Sequence, residues 1–241
     1  MKKWYAGGAA AILMVTASSA TAADGLDDAG EGRIPTGAVK NLLGWSNAEL
    51  DAGAESLHLV YRTDAVRTKS YECTDPESGA VSDWWAAQYT TTVGVLDHDV
   101  LTTKKGKVRG ILANGFEREP IVFIEEDRYG GDINEPLPTE CADGWELTSS
   151  VDETTTTSQL AVNGRVLGTD PVQTVGVTDY ASTILSSLGW DYRDVLVTES
   201  ADGRLVVDTG GAISPRLQAE FLEDYGWVQP GVDVVFTNPA T

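Results

Sequence analysis

The sequence predicts a mainly β protein: an antiparallel β-sandwich or barrel-like body with a few short helices and an α+β C-terminal segment. Three observations carry that expectation. About ten short runs rich in β-branched and aromatic residues are separated by turn residues. Asn163-Gly164 joins two such runs, and a type I′ hairpin turn needs positive φ at both central residues. Beyond residue 178, helix-like apolar periodicity alternates with short strand-like runs.

Residues 1–22 carry the layout of a secretory signal peptide. Lys2 and Lys3 precede an uncharged, apolar or small run from Trp4 to Val15, and Ala20-Thr21-Ala22 supplies small residues for cleavage. The apolar run is too short for a membrane-spanning helix. No cysteine follows the cleavage pattern, so no lipoprotein anchor is expected. The expected product is soluble and exported, to the periplasm, the cell surface or the medium.

Residues 23–56 read as an acidic flexible arm followed by a short helix. That helix runs from Thr36, a candidate N-cap, to Gly44, a stop signal. Residues 57–177 read as the antiparallel β domain. Leu57, Leu59 and Tyr61 alternate on one face of a strand over 57–62, and further strands are expected at 84–96, 107–113 and 121–126. The hairpin at Asn163-Gly164 follows. Residues 178–241 read as a helix–strand segment that either stands alone or belongs to the same domain. It contains a second hairpin, 195–199 with 204–208, turning at Ser200-Ala201-Asp202-Gly203.

Four tryptophans follow glycine: Trp45, Trp145, Trp190 and Trp227. At Trp45, Trp190 and Trp227 the preceding pattern is helical. The expectation is a left-handed glycine ending the helix, with the indole folding back on the last turn.

The formal net charge is −20. Without residues 1–22 the chain holds 15 basic and 37 acidic residues, a net −22, and no lysine follows Lys107. Phosphate-neutralising partners are therefore disfavoured, so neither nucleic acid nor an anionic membrane surface is expected. Hydrophobic residues at 41% and charged residues at 22% fit a globular chain.

Cys73 and Cys141, the two cysteines, lie in polar, turn-rich stretches and are expected to form one disulfide in an oxidising compartment. Asp127, Asp132, Asn134 and Glu135 gather around Gly130-Gly131. Oxygen ligands on a glycine-bent loop suit calcium, although the EF-hand spacing is not met. No other cofactor is implied. Trp84 and Trp85 are adjacent, so on a strand they face opposite sides. An exposed indole there would stack on a sugar or anchor a protein partner. Thr90–Thr92 and Thr154–Thr157 suit solvent-facing strand edges.

His58 and His98 are the only histidines. Each is expected to be structural, His58 on a strand and His98 at a turn between two aspartates. Leu205-Val206-Val207-Asp208-Thr209-Gly210 resembles the catalytic loop of aspartic proteases. That resemblance implies two such loops sharing a proton, and the chain has one, which in context reads as a turn.

These residues imply an exported soluble binding or surface-associated protein, with self-assembly through β-strand edges as one form and a protein or glycan as partner. The alternative is a secreted hydrolase acting on glycans or peptides with a carboxylate pair.

Overall fold

The computed structural model describes residues 25–129, 131–142, 144–168, 177–190 and 195–239; the expected signal peptide lies outside them. Among the described residues the protein is mostly β, with an antiparallel sheet curled into a half-barrel and four short helices. The main sheet runs in the order β1 (Glu31–Ile34), β4 (Val108–Phe116), β3 (Val81–Thr102), β2 (Leu59–Thr74), β6 (Glu146–Val162), β7 (Arg165–Val166). β5 (Ile121–Tyr129) also pairs with β3. One edge of β3 thus serves two strands, β5 along Trp85–Val93 and β4 along Leu96–Thr102. The handover lies at Gly94. A Cβ there would meet the Phe116 ring at 2.7 Å and Pro120 at 3.1 Å, so glycine lets the β4–β5 connection lie against β3.

At one end the sheet is buried on both faces. Leu59, Tyr61, Leu96, Leu160 and Val162 pack against α1 (Thr36–Leu43) and α2 (Asn47–Gly53) through Val39, Leu42 and Leu50. Val60, Val93, Val95 and Ala161 face the other way. They pack on α3 (Val177–Ser187) and α4 (Pro215–Val228) through Ala181, Ile184, Phe221 and Tyr225. A smaller sheet, β10 (Val234–Phe236), β9 (Leu205–Asp208) and β8 (Leu196–Glu199), completes that second layer. The C-terminal segment therefore shares a core with β2, β3 and β6.

The hairpin turn has both predicted positive angles, φ 50° at Asn163 and 77° at Gly164. The second hairpin forms as β8 and β9. Gly44 and Gly189 take positive φ, and the Trp45 and Trp190 amides donate to Lys40 and Leu185 carbonyls five residues back, as a helix-ending clasp requires.

Other expectations are corrected. Gly226 lies inside α4, which continues through Trp227 to Val228; there Trp227 stacks on the Arg118 guanidinium. The cap of α1 is Pro35, not Thr36. α2 was missed, although Ser46 and Glu49 form a complete capping box. The described part of the arm is tied down, since β1 pairs with β4 and Ile34 is fully buried. His98 sits inside β3 rather than at a turn, where β4 bulges opposite it and Gly115 has φ 91°. Thr90–Thr92 lie in the central strand β3, not at an edge. β2, β3 and β5 also run well past their predicted ends.

Gly94→Ala tests the handover. It forces a methyl group against Phe116 and is expected to cost about 1–3 kcal/mol, as overpacking does. Urea unfolding followed by fluorescence reads the loss.

Candidate functional site

Beyond the two cores, β5, β3, β2 and β6 continue as a four-stranded blade. Direct cross-strand partners share a face, so the register fixes its surfaces. One face carries Arg67, Lys69 and Tyr71 of β2, Trp84, Ala86 and Gln88 of β3, Glu126 and Arg128 of β5, and Asp152 of β6. The segment 131–142 covers the distal end of this face.

Three contacts seat that segment. Cys141 is disulfide-bonded to Cys73 at the end of β2, as the sequence predicted. Gly131 lies so close to the Trp84 indole that a Cβ would meet its Nε1 at 2.7 Å, and Trp84 in turn stacks on Tyr71 at 5.2 Å. The Lys69 ammonium, 3% exposed, donates to the Glu135 carbonyl at 2.5 Å and lies 3.7 Å from the Asp152 carboxylate. Ile133 is fully buried beneath the segment.

Beside the disulfide this arrangement leaves a recess of about 350 Å³ walled by Tyr71, Pro138, Trp145 and Glu140. Among the described residues it presents one carboxylate, Glu140, where paired-carboxylate hydrolysis needs two.

Asp152, Glu126 and Asp132 are held in their charged form. The Arg67 guanidinium donates to Asp152 at 3.0 and 3.2 Å and lowers its pKa, with Lys69 adding to the effect. Glu126 is lowered by Arg128 and by Gln88. Asp132 is lowered chiefly by the Asn134 backbone N–H.

The opposite face carries Val66, Thr68, Ser70 and Glu72 of β2 and Asp83, Trp85, Ala87 and Tyr89 of β3. Glu125, Asp127 and Tyr129 come from β5, and Val151 and Glu153 from β6. One row across four strands reads Tyr129, Trp85, Ser70, Val151. Of these, Tyr129 is 61% exposed, Trp85 43% and Val151 41%. The adjacent tryptophans thus divide as alternation requires: Trp84 sits under the disulfide-pinned segment and Trp85 faces solvent.

The four residues expected to share a calcium ion are not brought together. Asp127 lies on the Trp85 face, while Asp132, Asn134 and Glu135 belong to the segment over the other face. Asp132 is occupied by Asn134, accepting from its backbone N–H at 2.9 Å and its side chain at 3.2 Å. Among the described residues, no group of three or more His, Cys, Asp or Glu is arranged to hold a metal. Strand alternation is the reason, since neighbours in sequence part at the sheet.

The remaining candidates are structural. His58 and His98 each place Nε2 2.9 Å from a backbone carbonyl, of Val228 and Ala54. Asp208 accepts from the Gly210 amide and from Asn238, and Thr209 donates to the Gly211 carbonyl at 2.6 Å, so Asp-Thr-Gly closes a turn after β9.

The chain matches no protein-family model, no curated protein and no solved structure. The site therefore rests on its own geometry. Sequence reasoning missed Lys69, Tyr71 and Tyr129. The alternation that paired Trp84 with Trp85 would have found Tyr129, had β5 been extended past Glu126.

Replacing Cys73 and Cys141 by serine is expected to cost about 4 kcal/mol by the loop-entropy model for a separation of 68 residues. It should also red-shift Trp84 emission, read in a variant whose other tryptophans are phenylalanine. Lowered carboxyls stabilise above their unfolded pKa, near 4, and that contribution vanishes as pH falls through the lower folded values. Hydrogen-exchange protection of the blade, the exchange rate relative to the intrinsic rate at each pH, should therefore fall below about pH 4, and Asp152→Asn should blunt that dependence.

Proposed function

We propose that this is an exported, surface-associated binding and structural protein that associates edge to edge through β6. The observation that carries the reading is the outer side of that strand. β7 pairs with β6 only at Ala161 and Val162, so from Glu146 to Leu160 no described strand lies on its outer side. Natural edges are blunted by lysine, proline or bulges. β6 contains no Lys, Arg or Pro, and its register with β2 shifts only near its start, opposite Glu72 and Cys73. Thr154–Thr157 are exposed along it, as the sequence predicted, and β-branched residues favour extended pairing.

Two copies can pair antiparallel about a two-fold axis at Thr155. In that register Thr154 faces Thr156, Asp152 faces Ser158 and Glu153 faces Thr157, so no carboxylate opposes another. Export is supported by the layout of residues 1–22 and by the Cys73–Cys141 disulfide. Among the described residues no helix is long and apolar enough to cross a membrane.

Sedimentation velocity tests the edge. Two copies at −22 each, without residues 1–22, repel, and salt screens that repulsion, so the dimer fraction should rise from about 50 to about 500 mM NaCl. Successive backbone N–H groups alternate between β2 and the open side. Of Thr155→Pro and Thr156→Pro, one removes an outward donor and should abolish association while leaving the fold intact; the other weakens β2 pairing. A chain that stays monomeric across this range at about 100 μM would refute the proposal.

A further inference from the structure

We infer that the Trp85 face of the blade docks a cationic, extended polypeptide segment rich in arginine or lysine. The surface is a sheet face with an exposed aromatic centre. Tyr129 and Trp85 stand side by side on neighbouring strands, both exposed, and Tyr89 lies four residues further along β3 on the same face. Burial, then the charges of Asp127 and Glu125, push the Tyr89 hydroxyl pKa up, which places those carboxylates beside the aromatic strip.

Charge decides the occupant. In the rows from Val66 to Glu72 and their cross-strand partners, this face carries Glu72, Asp83, Asp127 and Glu153 in addition to Glu125, and neither lysine nor arginine. The basic residues within those rows, Arg67, Lys69 and Arg128, lie on the opposite face, where they pair with Asp152 and Glu126; Arg62, further along β2 on the Trp85 face, is paired with Asp64. The alternation thus sorts charge across the sheet. An arginine laid on Trp85 or Tyr129 gains a cation–π contact, and carboxylates in the flanking rows lie about 7 Å away along the strands, two residues on. An extended segment projects alternate side chains at that same spacing. This face is distinct from the β6 edge, so either proposal can fail without the other.

The probe is a dodecapeptide of alternating arginine and glycine, titrated calorimetrically into the full chain with its disulfide intact. Saturable binding is expected, one peptide per chain, weakening with salt. Trp85→Ala should weaken it about tenfold, as loss of a central aromatic anchor does. Asp127→Asn with Glu153→Gln should weaken it by a similar factor. Glu126→Gln with Glu140→Gln changes net charge equally on the other side and should leave the affinity within about twofold. Equal losses in the two double variants, or indifference to Trp85→Ala, would overturn the inference, because binding would then follow bulk charge. Absence of saturable peptide binding would overturn it too, as would Trp85-dependent binding of neutral cellohexaose or chitohexaose that the peptide cannot displace, which would assign the face to a glycan.

Discussion

The β2–β3 ladder keeps one register from Val60 opposite Val95 to Thr74 opposite Val81, and the other layers take their positions from it. Backbone pairing of this length fixes which side chains share a face, because a slip of one residue would exchange the faces. At the Val60 end that exchange is forbidden by burial. Leu59 and Tyr61 belong to the core under α1 and α2, and Val60 to the core under α3 and α4. Apolar packing on both sides sets the register there, and hydrogen bonding carries it outward into the blade, where little apolar burial specifies it.

The blade is organised by polar interactions instead. Arg67, Lys69 and Arg128 find carboxylates on their own face, and the disulfide and the Lys69–Glu135 contact hold a cover over them. Exposed ion pairs contribute little individually. Lys69 differs, because a buried ammonium left without partners is costly, and its acceptor is a carbonyl of the covering segment. The cover and the sheet beneath it therefore depend on each other.

The sequence made the β class, the disulfide, both hairpins and the helix to Gly44 legible, because each has a local cause: β-branched runs, an Asn-Gly turn, a left-handed glycine. It did not reveal how far β2 and β3 run. Beyond Arg62 the strand carries mostly polar residues on both faces, so Thr63–Thr74 offers no polar–apolar alternation to read although it pairs on both sides. The calcium grouping failed for the complementary reason. Asp127, Asp132, Asn134 and Glu135 are neighbours along the chain, and the sheet separates the first from the rest. Trp84 and Trp85 were legible because their division needs only alternation, while the charge sorting around Trp85 needs the register of four strands. Ser46-Asn47-Ala48-Glu49 is a local capping signal for α2 that the sequence also carries.

The pairing of β2 with β6 also governs how the chain reaches this state. It joins Leu59 to Val162 and Thr74 to Glu146, contacts that close long loops and are slow to form. Until β6 arrives, β2 offers a long unpaired edge to any neighbouring chain, which is a route to aggregation. The disulfide shortens that search. Cys73 ends β2 and Cys141 lies a few residues before β6 begins, so once the bond has formed the two strands start from adjacent ends and zip as a hairpin would. Oxidation early in folding thus converts a slow, non-local step into a local one.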